Sequence, residues 1–312
     1  MIDTMGALYI LDEFTKKQFH PADKSGNYSP PFMGGVRGWV FFMIITLLQQ
    51  DIAWADPAEN QRRSEAAILA APLSDLYVLP EMWSTGFNAV DEDTTSLSWM
   101  KQMAARMNAA VAGSLSVKAE DGTKRNRFYF VMPPTEECAE AKVEYYDKRH
   151  LFSYGKEQLH YSAGEERKIV KWRGVKFLLQ VCYDLRFPVF SRNEIDSCDN
   201  TSNEDVSECL YDCALYVASW PASRIKPWHI LLQARAVENQ CFVAAVNRVG
   251  EDPKCKYCGG TELIDAYGRV VASCPDDKIA SATYEIRMDE LVGFRKKFPV
   301  LEDADSFHLY SK

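Results

Sequence analysis

The chain is short of positive charge, poor in histidine and without a nucleotide-binding glycine motif. Lysine and arginine number 36 against 44 aspartates and glutamates, giving a formal net charge of -8. A general nucleic-acid binder needs a basic face for the phosphates, so no nucleic-acid partner is expected. Neither GxGxxG nor a P-loop occurs, and no internal repeat is visible. No membrane partner is expected either: the apolar run at 40–48 (VFFMIITLL) is nine residues long, whereas a spanning helix needs about 20. The nine cysteines are irregularly spaced and do not form a disulfide framework for a chain of 312 residues. Free thiols in a reducing compartment, hence a cytoplasmic location, are the expectation. What is abundant is apolar residue, 47% of the chain, enough for a sizeable core and against bulk disorder.

The first 42 residues differ from the rest of the chain. Lys24-Ser25-Gly26-Asn27, Pro30-Pro31 and Gly34-Gly35 are turn and linker chemistry. Arg37, the apolar run and Ala53-Trp54-Ala55 follow the order of a secretory signal. The run lies about forty residues from Met1, however, beyond the usual end of such a signal, and it reads better as a buried strand opening the fold. Residues 1–42 are therefore expected to be a weakly structured or non-native extension, with Met43 a possible functional start. Residues 43–312 are expected to form one domain with an acidic loop insert near 194–210 (EIDSCDNTSNEDVSECL) and a C-terminal tail.

Within that domain helices and strands alternate. Asp56-Pro57-Ala58-Glu59 predicts a capped helix start, with Glu59 closing a capping box and the helix ending before Pro72. A short strand at 76–79 delivers Pro80-Glu81. A helix is predicted over 98–112 with Trp99, Met103 and Met107 on one face, then strands at 127–132 and 143–147. Arg173-Gly174 predicts a hairpin between 169–172 and 175–182. A strand at 211–219, a helix at 228–239, a strand at 242–246, a hairpin over 262–273 turning at Gly268 and a last strand at 280–286 complete the pattern. Strands that deliver polar residues at their ends, separated by helices, predict a layered α/β enzyme.

Three places carry chemistry. Cys182 ends an apolar strand (LLQVCYDLRFP) and is followed at once by an Asp-x-Arg turn. That geometry presents a nucleophile and aims the next backbone N–H, that of Tyr183, at a developing oxyanion; a small core residue is the plainer reading. Lys148 (YYDKRHLF) lies just past a strand, where it is either solvated or placed to lower a thiol pKa and stabilise an oxyanion. Glu81 (LPEMWSTGF) sits between apolar residues, costly to bury without a partner; a helix cap or a structural ion pair would also account for it.

Taken together, LPEMWSTGF, YDKRHLF and VCYDLRFP, in this order and with the three residues 67 and 34 positions apart, resemble the carbon–nitrogen hydrolase (nitrilase) superfamily. The resemblance covers about residues 43–307. Within it the ω-amidase branch, which acts on 2-oxo acid monoamides, is the most similar through ITLLQQDIAWADPAEN, SYGKEQLHYSAGE, WPASRIKPWHILLQARAVENQCFVAAVNRVG and FRKKFPVLEDADSF. The resemblance implies a four-layer αββα sandwich, a homodimer, a small-molecule amide substrate and no cofactor or metal. It implies a Glu81–Lys148–Cys182 triad acting through a thioester, with Glu157 as a further catalytic carboxylate and Lys148 and the Tyr183 N–H as oxyanion donors. A distal substrate carboxylate needs a cation, either Arg186 or Arg224, although Arg186 could instead hold Asp184. Trp83, Phe87, Phe152 and Trp220 are candidate pocket walls, or simply core.

Two departures stand out. Gly259-Gly260-Thr261 replaces the Gly-Asp-Ser general in that branch, and Cys255-Lys256-Tyr257-Cys258 precedes it. The latter is a weak thiol or zinc signal, and a non-enzymatic module built on Cys255 and Cys258 is one alternative function. A Cys–His hydrolase using one of the five histidines, His150 foremost, is a second. A nitrilase or N-carbamoyl-amide hydrolase sharing the triad is a third.

Overall fold

Two mixed β-sheets are laid face to face, each with helices on its outer side. The computed structural model describes residues 42–87, 90, 92–195 and 209–309; the expected extension, apart from Phe42, and most of the acidic insert lie outside the described residues. The first half of the chain runs β1 (Phe42–Gln49), α1 (Pro57–Ala70), β2 (Leu76–Val78), α2 (Ser96–Met107), β3 (Ala110–Lys118), β4 (Lys124–Met132) and β5 (Lys142–Asp147). The second half runs β6 (Ile169–Trp172), β7 (Val175–Val181), β8 (Cys213–Ala218), α3 (Ile225–Glu238), β9 (Phe242–Asn247), β10 (Val249–Glu251), β11 (Lys256–Cys258), β12 (Glu262–Ile264), β13 (Val270–Ser273), β14 (Ala280–Arg287) and α4 (Met288–Lys297). The strand orders are β14-β1-β2-β3-β4-β5 and β13-β12-β9-β8-β7-β6, with β10-β11 a separate ribbon.

Side-chain alternation builds the layers. In β1, Met43, Ile45 and Leu47 point between the sheets and meet Val175, Phe177, Leu179 and Val181, the alternate residues of β7. The opposite face of the first sheet packs Tyr77, Val111 and Val131 on Ile68 of α1 and on Trp99, Met100 and Met103 of α2. The opposite face of the second sheet packs Leu178, Ala214, Tyr216 and Val243 on Trp228, Leu232 and Ala236 of α3. Three apolar layers thus bind four structural ones, the expected αββα sandwich. At roughly 1.5–3 kcal/mol for each large apolar side chain removed from water, these interfaces dominate stability.

The described part of the apolar run, 42–48, lies in β1, as expected, paired with β14 and β2 inside the first sheet. The Arg173-Gly174 hairpin joins β6 to β7, with positive φ at both residues, 42° and 81°, as a tight primed turn requires. Asp56 caps α1 through the Glu59 N–H at 3.1 Å. The Glu59 carboxylate, however, is drawn to Arg62 and Arg63 at 2.7 Å each, so the reciprocal half of the capping box is not made.

The structure differs from the sequence reading at α2, β3, the β10-β11 ribbon and α4. The helix predicted over 98–112 stops at Met107, because Asn108 turns left-handed at φ 46°. Residues 110–118 then become β3, held between β2 and β4. Ala110-Val111-Ala112 tolerates a helix in isolation, but pairing on both sides overrides that preference. The ribbon β10-β11 and the helix α4 were not anticipated. Among the described residues no helix is long and apolar enough to cross a membrane.

Candidate active site

Both sheets deliver polar side chains to one end of their seam. Glu81 lies in the turn that leaves β2, Lys148 directly follows β5, and Glu157 sits in a short helical turn, Glu157–Leu159. Cys182 follows β7 and opens the turn Cys182–Arg186 with φ 46°. A non-glycine residue in this region is uncommon and strained. Here the strand-to-turn reversal requires it, and it aims the side chain off the strand end.

The polar groups are densely bonded. Lys148 Nζ lies 2.9 Å from Glu81 Oε1 and 2.9 Å from Glu157 Oε2. Asn126 Nδ2 donates to Glu81 Oε1 at 2.7 Å and to Glu157 Oε1 at 3.2 Å. Glu81 Oε2 accepts the Ser219 N–H at 2.8 Å, so a carboxylate from the first sheet is fastened to a strand end of the second. Glu157 Oε2 accepts the Phe152 N–H at 2.6 Å. All three charged residues are about 1% exposed.

Burial sets the protonation states. It pushes the Cys182 thiol well above its ordinary range; the Glu81 charge adds to this, Lys148 opposes it, and a hydrogen bond to Glu81 favours the protonated thiol. For Lys148, burial by itself lowers the ammonium, but Glu157 and Glu81 outweigh it and hold the group charged well beyond the usual lysine range. Burial raises Glu157, with Lys148 opposing and Glu81 reinforcing. The site thus holds a neutral thiol beside a carboxylate, with one ammonium between two acids.

A second network fixes the thiol turn. Asp184 is fully buried. It accepts from the Val181 N–H at 2.9 Å, the Tyr146 hydroxyl at 2.9 Å, the His150 N–H at 3.0 Å and His150 Nδ1 at 2.8 Å. The Tyr146 hydroxyl in turn accepts the Arg149 N–H at 3.0 Å. The segment carrying Lys148 is thereby tied to the segment carrying Cys182.

A cavity of about 440 Å³ opens over these groups. Glu81, Lys148, Cys182, Tyr183, Phe87, Phe152, Trp220, Arg186 and Arg224 line it. Tyr183, second in its turn, has an N–H of the kind that a helix start leaves without an intrahelical acceptor. Arg186 stacks over Trp220 at 5.0 Å and Arg224 over Phe152 at 5.2 Å; among the described residues neither is ion-paired. Lys254, Cys255 and Tyr257, from the β10-β11 ribbon, form a further wall.

Several expectations need correction. Trp83 is not a pocket wall: it is wholly buried, its ring tilted against that of Trp99 at 4.9 Å in the layer between the first sheet and its helices. Arg186 does not hold Asp184, whose oxygens are taken by Val181, Tyr146 and His150. His150 faces Asp184 and stacks on Phe187 at 3.9 Å, and among the described residues no histidine lines the cavity beside Cys182, which removes the Cys–His reading. Cys255 lies at the cavity wall and Cys258 ends β11; among the described residues no three His, Cys, Asp or Glu side chains group as a metal site. At Gly260, φ is 84° and an added Cβ would come 2.9 Å from Ile225 Cδ1. The aspartate general at this position in the ω-amidase branch would be crowded here.

Asn126 and Ser219 contribute bonds to Glu81 that the sequence motifs do not mark. A lone asparagine in the strand KRNRFYFVM was the only available signal for the first. Ser219 acts through its backbone and leaves no side-chain signature.

Known proteins carry related sequences and the same fold. The carbon–nitrogen hydrolase family matches residues 44–296. The chain is 41% identical to the omega-amidase YafV of Yersinia enterocolitica, across 85% of this chain and 98% of that protein. It is 35% identical to the 2-oxoglutaramate amidase of Bacillus subtilis strain 168, across 83% of this chain and 96% of that protein. The solved structure of XC1258 from Xanthomonas campestris, described as a CN-hydrolase superfamily protein with an arsenic adduct in the active site, superposes with TM-score 0.78 at 39% identity. It covers 86% of this chain and all of that one.

Proposed function

The chain belongs to the carbon–nitrogen hydrolase family, and from that premise we propose that it hydrolyses the terminal amide of a 2-oxo acid monoamide, 2-oxoglutaramate or 2-oxosuccinamate, to the dicarboxylic acid and ammonia. The observation that carries this reading is the pairing, in one cavity, of a thiol–carboxylate–ammonium floor with Arg186 and Arg224. Such a cavity matches a molecule with an amide at one end and a carboxylate at the other. The names of the relatives at 41% and 35% identity point the same way.

Glu81 takes the Cys182 proton as Sγ bonds to the amide carbon. The oxygen becomes an oxyanion facing Lys148 Nζ and the Tyr183 N–H; loss of one such donor typically costs on the order of 10²–10³ in rate. The intermediate collapses by breaking the C–N bond, and Glu81 passes its proton to the nitrogen, which leaves as ammonia. Water then loses a proton to Glu81 and attacks the thioester, the C–S bond breaks, and the proton returns to sulfur. Glu157 holds Lys148 through both of its oxygens, at 3.2 and 2.9 Å. Phe87, Phe152 and Trp220 flank the carbon chain, and Arg186 and Arg224 receive the distal carboxylate.

The hydrolase unit is taken to span residues 43–312 together with Phe42, which the structure adds to β1, with the rest of the extension outside it. A cytoplasmic location fits the free thiols among the described cysteines; a homodimer is the assembly taken for it, and light scattering on the purified protein tests its mass. Ammonia release from the two oxo-amides, compared with glutamine, asparagine and a simple nitrile, tests the substrate. The oxo-amides should lead, and Cys182→Ala should remove all release. Folded protein inactive on both oxo-amides defeats the assignment.

A further inference from the structure

Two oxygens of one carboxylate are treated differently in this site. Glu81 Oε1 accepts from Lys148 Nζ at 2.9 Å and from Asn126 Nδ2 at 2.7 Å. Glu81 Oε2 accepts from the Ser219 N–H at 2.8 Å. A carboxylate oxygen offers about two lone-pair sites, so Oε1 is filled and Oε2 retains one.

Asn126 makes the difference. Besides Lys148, it is the only described side chain that hydrogen-bonds both buried carboxylates, giving one amide hydrogen to Glu81 Oε1 and the other to Glu157 Oε1 at 3.2 Å. Its own Oδ1 is buried without a partner. Buried polar atoms are normally satisfied, so this side chain is not placed to complete its own bonding. The amide cannot be turned over, because its oxygen would then oppose two carboxylate oxygens. The backbone supports the arrangement: the Lys148 N–H donates to the Asn126 carbonyl at 3.0 Å, so amide and ammonium arrive from adjacent chain segments in fixed register.

We propose that Asn126 is a positioning residue: by filling Glu81 Oε1 it makes Oε2 the atom that exchanges protons with Cys182, and as a neutral donor it lets two carboxylates share one ammonium without a second cation. This rests on Glu81 acting as the base in the proposed hydrolysis. A second lysine or arginine in place of the amide would neutralise the base; an acceptor would repel both acids.

The test is the pH dependence of Cys182 alkylation by iodoacetamide, with kcat and KM for ammonia release alongside. Asn126→Asp keeps the shape and exchanges the donor for an acceptor. A third carboxylate draws a proton into the cluster that must leave before Glu81 can work, so the acid limb should move to higher pH. Alkylation near neutrality and kcat should both fall on the order of 10²-fold, the usual worth of a general base, with KM held. Asn126→Ser adds no charge and reaches at most one carboxylate; about a tenfold loss with a smaller displacement is expected, and this variant carries the test if the aspartate does not fold. A folded Asn126→Asp or Asn126→Ser whose alkylation profile superimposes on that of the unaltered protein overturns the proposal. Alkylation needs no amide, so an error in the substrate leaves the result readable. A Glu81→Gln protein alkylated as fast as the parent would instead remove Glu81 as the base.

Discussion

The floor and the mouth of the cavity are built on opposite principles. On the floor, Glu81 and Lys148, with Glu157 bonded to Lys148 outside the cavity lining, are out of contact with solvent and held by short bonds from both sheets. At the mouth, Arg186 and Lys254 are exposed and Arg224 is half-buried, and the two arginines rest on aromatic rings rather than on carboxylates. A buried charge network is destabilised sharply when one member is removed, whereas an exposed cation in water contributes little to the fold. Chemistry therefore resides where geometry cannot vary, and recognition where side chains can adjust to the molecule that arrives.

The sharpest way to break this contrast is Lys148→Met. Removing the ammonium leaves two buried carboxylates facing each other, so stability should fall by roughly 3–5 kcal/mol and kcat by about 10³-fold, read by thermal melting and ammonia release. A protein that melted like its parent would show the floor to be soft rather than rigid. Next, Arg186→Ala and Arg224→Ala should raise KM for 2-oxoglutaramate by about 10–100-fold, a charge-assisted contact being worth about 1.5–3 kcal/mol, with kcat and melting nearly unchanged. An uncharged aliphatic amide should be indifferent to either change. Equal losses on both substrates would erase the distinction between floor and mouth.

Protonation gives a third measurement. Because the folded Cys182 pKa is raised, its contribution to stability is complete below the unfolded thiol value of about 8.5 and is lost as pH rises through the folded value. Thiolate absorbance at 240 nm, taken as the parent minus Cys182→Ala, should be missing at neutral pH. The parent should lose melting temperature relative to that variant on the alkaline side. Substantial thiolate near neutrality would replace the thiol–carboxylate pair with a thiolate–ammonium pair. The smallest effect belongs to Lys254→Ala at the rim: a fall in kcat/KM of about two- to threefold at low ionic strength that disappears in high salt.

How much of this was legible before folding depends on whether the signal was local. β1, the β6-β7 hairpin and the strand ending at Cys182 announce themselves through apolar runs and a turn dipeptide, and three short motifs name Glu81, Lys148 and Cys182. β3 was hidden because Ala110-Val111-Ala112 acquires its conformation from neighbours on both sides. Trp83 misled because nearness in sequence to Glu81 says nothing about direction: the turn at Met82, φ 50°, sends the two side chains to different layers. Asn126 and the Ser219 N–H lie 45 and 138 positions from Glu81, and only the meeting of strands brings them to it.

The left-handed backbone at Cys182 has a further consequence. Only glycine occupies such a conformation without penalty, and a side chain there typically costs on the order of 1–2 kcal/mol. The nucleophile therefore sits where the fold would be better served by having none. Cys182→Gly should be inert yet harder to melt than the active protein, so screening this chain for thermal robustness alone would steer a population of variants toward losing the reaction.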